Sequence, residues 1–467
     1  MKNLEKSVCL FAIGAAAFLG ACASGAGESA AAFKALQSGD YALAESLYLR
    51  GPGGVLELLN AASASRASLD FKKSDRLLLE ALELADETDA AAPQNSDFIL
   101  KGGLPPYRPS SFERIMANAF VALDEILARR YAEADERLIK AEDLAARAPQ
   151  IEGERVSSAM KSLNSALASG GLNFDAASAV GEEAFAKPAA LFYGRNPFEF
   201  DSSSGSVSEY LKNSYKTALL PWLRGLGKLA SSKTRSEVAE ARELFARALS
   251  IAPNNVFLKD DIAACENFLR EGKLQRATYV FYESGFAPSL AAETLQIRVN
   301  PTGDDPFYSE FQTPIFAPSS DFSAALQIFS FGLFYSTEPL LLADEIAEAE
   351  FAASVPVRAG ECVLRCAVNA QKNSAGFGDS ENFDPEAAAK RVVKSEAGLA
   401  ANRADLRIWK TLPKIVSYAR IPTPERNFII VENQRVELTP MPINFVYARR
   451  TSAFAPLSVK VFGLGEN

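Results

Sequence analysis

The chain has 467 residues, with 49 Lys and Arg against 58 Asp and Glu, no histidine, and a net charge of −9. An acidic chain of this kind argues against nucleic acid or an anionic lipid surface as the main ligand. The missing histidine removes the commonest general base, the Ser-His and Cys-His nucleophile systems and the commonest zinc ligand, so no catalytic residue, metal or cofactor is expected.

Lys2 and Lys6 precede an apolar run from Val8 to Leu19. The run is shorter than the ~20 apolar residues that span a bilayer, but it suits an export signal. It ends in Leu19-Gly20-Ala21-Cys22, the pattern of a bacterial lipobox. Residues 1–21 would be removed, Cys22 acylated, and 22–32 left as a tether. An ordinary cleaved signal or an N-terminal helix is the competing reading, and neither needs Cys22. Several acyl chains on one residue suffice for stable attachment. Ala23 stands where an Asp would favour inner-membrane retention, so the expected location is the outer membrane, facing the periplasm.

Cys265, Cys362 and Cys366 remain in the mature chain, too few and too odd for a disulfide framework. Cys362 and Cys366 share a helix face at i,i+4, a spacing open to a bond or a soft-metal pair. Two thiolates do not complete a tetrahedral site, and buried thiols are the commoner outcome.

From residue 33 to 270 the pattern is helical and repeated. Tyr41, Phe71 and Tyr131 each follow a small residue nine positions earlier (Ala32, Ala62, Ala122). Each precedes Ala44, Ser74 or Ala134 by three positions, and Tyr48, Leu78 or Leu138 by seven. Small residues let paired helices approach while the large ones fill the seam. A fourth copy carries Trp222, Leu223, Leu226 and Gly227, then Val238, Ala241, Phe245 and Ala248. The spacings resemble the tetratricopeptide (TPR) repeat and imply an α-solenoid whose concave side holds polypeptide. Generic amphipathic hairpins are the alternative. The turn glycine is present only in the first copy, and residues 88–109 and 148–207 interrupt the array; Glu209 to Leu229 should restart helix.

After Lys273 strands take over. They are expected at 276–283, 293–299, 323–335, 415–421, 427–431, 434–438, 443–448 and 457–462, with a hairpin turn at Glu432-Asn433. Helix is expected at 344–372, broken or bent by Pro356, and at 386–402, after a loop at 373–385. The expected fold is therefore a multidomain α+β protein, with TPR-like helical hairpins at 33–270 and a mainly antiparallel α+β domain at 273–467.

Four stretches resemble a family of bacterial lipoproteins that pairs a TPR-like front with an α+β rear. They are Ser111 to Ile115 (SFERI), Gly272 to Pro288 (GKLQRATYVFYESGFAP), Leu340 to Lys372, and Ala404 to Arg420 (ADLRIWKTLPKIVSYAR). The resemblance implies an envelope lipoprotein and transfers no catalytic residue.

Among single residues, Arg407 and Trp409 form a candidate exposed anchor pair for a partner, with core packing of Trp409 as the alternative. Glu283 offers a ligand or base, against a plain strand ending in a Gly turn. The Gly pairs at 225–227 and 376–378 lack a phosphate-loop context, and Asp304-Asp305 and the 379–386 stretch lack calcium-loop spacing. The leading expectation is a lipid-anchored scaffold that binds an envelope protein. The alternative is an enzyme or glycan binder, which requires a pocket of convergent carboxylates with raised pKa values. A self-associating structural protein is the third.

Overall fold

The computed structural model describes residues 29–51, 53–91, 95–100, 103–169, 201–299, 307–374 and 403–465. The leader, Cys22, the two acidic stretches, the Gly pair at 376–378 and the helix expected at 386–402 lie outside them. No helix among the described residues is long and apolar enough to cross a membrane.

The front half is helical: α1 (29–38), α2 (Tyr41–Tyr48), α3 (Val55–Ala67), α4 (Phe71–Ala91), α5 (Asn95–Leu100), α6 (Ser111–Leu127), α7 (Tyr131–Ser169), α8 (Ser204–Leu211), α9 (Leu219–Ser231), α10 (Arg235–Ile251) and α11 (Val256–Glu271). Three hairpins share one turn. Gly39, Leu69 and Arg129 are all left-handed, at φ +87, +68 and +61. The next amide donates five residues back: Asp40 to Ala35, Asp70 to Ser65 and Arg130 to Glu125, at 2.9, 3.0 and 2.8 Å. This is the Schellman closure of a helix. It repeats without its glycine, at a cost of about 1–2 kcal/mol for each non-Gly residue. The small positions behave as the spacing predicts, since Ala32, Ala44, Ala62, Ser74, Ala122 and Ala134 are all buried. In the fourth hairpin Gly225 serves packing: a Cβ there would lie 2.7 Å from the Phe245 ring of α10.

The rear half holds β1 (Ala277–Ser284), β2 (Ser289–Val299), β3 (Phe307–Ala317), β4 (Gln327–Ser330), β5 (Leu333–Ser336), β6 (Glu338–Leu342), α12 (Ala343–Ser374), β7 (Ile415–Pro422), β8 (Phe428–Val431), β9 (Gln434–Glu437), β10 (Ile443–Arg450) and β11 (Ser458–Leu464). A five-stranded sheet runs β11-β10-β1-β7-β6, beside a β2-β3 pair and a four-stranded sheet β5-β4-β8-β9. Among the described residues every pairing is antiparallel except the central β1–β10 pair. The class is thus mixed α+β, helices first and antiparallel-rich sheets after.

Several local expectations change. Strand β3 was not anticipated, because Pro314 interrupts its pattern, and neither was β6, which lies immediately before the helix expected at 344–372. The expected strand 323–335 is a short hairpin, β4–β5, turning at Phe331-Gly332 with φ +54 and +80. Helix α12 runs through Pro356 unbroken, and α7 runs through Pro149. The single helix expected from Glu209 is two, α8 and α9, with a break at 212–218.

Gly272, left-handed at φ +73, closes α11 where the composition shifts from helix to strand. The core does not stop there: one cluster of buried apolar residues runs from Ala32 to Leu464. One face of the central sheet carries Tyr279, Phe281, Tyr418, Phe445 and Tyr447 in register. Trp222 of α9 stacks on Phe281 at 5.8 Å and meets Tyr418 at 4.5 Å, and Phe71 of α4 meets Tyr447 edge-on at 4.9 Å. The side of the helical array that a solenoid would offer to a partner is here filled by the chain's own sheet.

Candidate functional site

Two buried charge clusters close the seam between helices and sheet. At one end Arg66 of α3 pairs with Asp124 of α6 and, at 2.8 Å, with Glu283 of β1, while the Tyr447 hydroxyl donates to Glu283 at 2.7 Å. Arg66 also lies over the Phe120 ring at 4.6 Å. Burial alone would lower the Arg66 pKa, but Asp124 and Glu283 outweigh it and the guanidinium stays cationic. Burial pushes the Asp124 carboxyl up to about 7 despite Arg66, as expected when one cation serves two buried carboxylates. Glu283 is thus a seam residue on a strand that ends at Gly285 (φ +65), the plain reading of its segment. At the other end Asp261 accepts from Trp222 and Tyr418 and pairs with Arg420; burial pushes it up to about 6.

The candidate site is a cavity of about 440 Å³ at the N-terminus of α6, within the usual range for ligand pockets. It is built from a capping problem. The first amides of a helix have no internal partner. Here Ser110 and Glu113 form a capping box, the Ser111 amide donates to Glu152 of α7 at 2.9 Å, and the Phe112 amide donates to Glu350 of α12 at 2.9 Å. Two distant carboxylates, Glu152 and Glu350, therefore join Glu113 at its own helix end, where the dipole favours negative charge.

Each carboxylate has further partners. Glu113 accepts from the Tyr107 hydroxyl at 2.6 Å and from the Trp409 amide at 2.6 Å, and burial raises its pKa. Glu152 accepts from the Ser111 hydroxyl and pairs with Arg155 at 3.1 Å. Glu350 accepts from the Tyr215 hydroxyl at 2.7 Å; burial, and then the Glu152 charge, push it up to about 8. Burial therefore favours the protonated form of Glu350, next to the Glu152–Arg155 pair.

The far wall is α12 and the segment from Asp405 to Leu412. Glu350, Phe351, Ser354, Val357, Arg358 and Glu361 share one helix stripe. Arg407 grips Asp405 at 2.7 Å and donates to the Pro105 carbonyl at 2.7 Å. The exposed anchor pair expected at Arg407 and Trp409 is therefore corrected. Trp409 is 1% exposed, packs on Phe120, and donates its indole N–H to Ser63 at 3.0 Å. A side chain of that area buries where an apolar seam and a polar partner coincide. Both residues line the pocket; Trp409 is buried and Arg407 is partly exposed.

All four stretches that carry the lipoprotein resemblance contribute to this one cavity: Phe112 and Glu113, Ala287 and Pro288, the α12 stripe, and Asp405 to Leu412. Composition and spacing had singled out none of Glu152, Glu350 or Arg358. The S-x-x-E capping pattern at 110–113 was a usable signal; the convergence of α7 and α12 on it was not.

Cys265 is buried and its thiol pKa is pushed up to about 12 by burial, which leaves it unreactive. Cys362 is buried with Sγ 3.6 Å from the Gln312 carbonyl; the Cys366 side chain, and with it the expected pairing, lies outside the described residues. Among the described residues no group of three His, Cys, Asp or Glu is placed to hold a metal. No family model, no curated protein and no solved structure matches the chain.

Proposed function

We propose that this chain is a lipid-anchored outer-membrane protein, facing the periplasm, that binds its ligand or a segment of a partner protein in the α6–α7–α12 pocket. The observation that carries the reading is the meeting of the four resemblance stretches in one cavity. The face of the helical half that carries Phe71 and Trp222 is covered by the central sheet. The role is recognition, in envelope assembly or maintenance. The carboxylates at the pocket floor are engaged in capping α6.

A photo-crosslinking side chain at Ser158, exposed at the pocket rim, is expected to capture a specific envelope component in cells. The same side chain at Lys140, exposed on α7 away from the pocket, should not. Equal products from both positions would refute the pocket. Cys22→Ser should release the protein from the membrane fraction, and an unchanged distribution would refute the anchor.

One observation favours a second reading. Glu350, its pKa raised by burial and by the neighbouring Glu152, shares the pocket floor with Glu152, and carboxylate hydrolases use two carboxyl groups in one cleft. That reading predicts glycan turnover abolished by Glu350→Gln; binding without turnover by the unaltered protein removes it.

A further inference from the structure

Of the arginines lining the pocket, three have a carboxylate within ion-pair distance: Arg155 with Glu152 at 3.1 Å, Arg407 with Asp405 at 2.7 Å, and Arg108 with Asp89 at 3.7 Å. Arg358 has none among the described residues. Its Nε donates to Ser354 at 2.8 Å and its guanidinium lies over the Phe351 ring at 5.0 Å. Its two terminal nitrogens, a fork shaped for an oxyanion, make no hydrogen bond there and are not sealed from the cavity.

From this arrangement, and resting on the pocket proposed above, we infer that Arg358 is the anchor for a singly charged carboxylate carried on an apolar body. The free end of a polypeptide and a small organic acid both present that chemistry. The apolar body has matching walls in Phe351, Val357, Ile408, Trp409, Leu412 and Pro288. The charge state follows from the neighbours. Glu361 and Asp405 both act electrostatically on Arg358, so a second negative charge on the ligand costs more than it gains from one guanidinium. Burial favours the neutral form of Glu350, and Glu152 is held by Arg155. Burial lowers the Arg358 pKa, and Glu361 and Asp405 do not restore it. A bound carboxylate supplies the missing compensation.

Calorimetric titration of the full chain tests this with three probes: N-acetyl-leucine, its uncharged amide, and phenyl phosphate. N-acetyl-leucine should bind, the amide and the phosphate about tenfold or more weakly, and Arg358→Gln should lose that preference. Arg358→Lys should keep part of it, since charge survives without the fork. Equal binding of acid and amide, tighter binding of the phosphate, or full acid binding by Arg358→Gln would overturn the assignment, as would no acid binding at all. Ala159→Phe, which fills the cavity, separates the two levels of the argument. If the acid still binds that variant, the pocket itself is wrong. If filling abolishes binding but Arg358→Gln does not, only the anchor is wrong. Peptides ending in leucine, free or amidated, then distinguish a chain terminus from a small acid.

Discussion

The seam around Arg66 and the pocket around Arg358 are built from the same materials, arginines and carboxylates held against aromatic rings, and they serve opposite ends. At the seam Arg66 faces two carboxylates and three rings, all contributed by this chain. In the pocket Arg358 has, among the described residues, one ring and one hydroxyl. A buried charge whose partners are complete fixes one packing of helices on sheet. One whose partners are incomplete holds a position for something else.

The comparison breaks most readily through the two arginines themselves. Arg66→Met strands Asp124 and Glu283 in the interior and should cost about 3–5 kcal/mol. Arg358→Met strands no paired carboxylate and should cost under about 1 kcal/mol. Urea denaturation of both checks this; equal losses would erase the distinction.

Gly39→Ala is the next largest change, and it probes the rim of the seam. The residue is left-handed, and a Cβ would sit 2.9 Å from the Pro456 ring, in a loop whose Thr451 hydroxyl donates to the Leu36 carbonyl of α1. A loss of about 1–3 kcal/mol in urea is expected.

pH sharpens the contrast further. Glu350, Asp124 and Asp261 all have folded pKa values raised above those of the open chain. The folded state therefore binds more protons between the two values, and stability falls as pH rises from about 5 to about 8. Each group contributes at most about 1.4 kcal/mol per pH unit. Glu350→Gln should flatten the upper part of that fall, near pH 8, and leave the part due to Asp124 and Asp261. Denaturation midpoints at pH 5, 6.5 and 8 measure it; an unchanged slope at the upper end would remove the proton from Glu350.

The smallest effect is expected remote from both arginines. Phe331 is 56% exposed and left-handed at the first position of the β4–β5 turn, followed by left-handed Gly332. Asn-Gly suits that turn, so Phe331→Asn should gain about 0.5–1 kcal/mol. A loss instead would show that Phe331 packs on something outside the described residues.

Legibility in the sequence followed the range of the interactions. The hairpins announced themselves through the recurrence of Ala32, Ala62 and Ala122 ahead of an aromatic, because helix packing repeats its demands at fixed spacing. Strands β1, β7, β8, β9, β10 and β11 were visible in their β-branched and aromatic runs, and Glu432-Asn433 in its turn chemistry. β3 and β6 were obscured by Pro314 and by a Leu-rich run that suits helix as well as strand. Trp409 was ambiguous because a tryptophan reads alike in a core and on an interface until its neighbours are known.

Composition and spacing determined by themselves an acidic, histidine-free chain with paired helices first and strands after, since those properties reside in single residues and in periods of a few. Tertiary structure alone decided that the helices close on the chain's own sheet through Phe71 and Trp222. It alone brought Glu152 and Glu350 from two other helices to the helix end that carries Glu113, and left Arg358 without an ion-paired carboxylate among the described residues. Such outcomes depend on which distant groups arrive within a few ångströms of one another, and burial then turns that arrival into charge, proton occupancy and an open position.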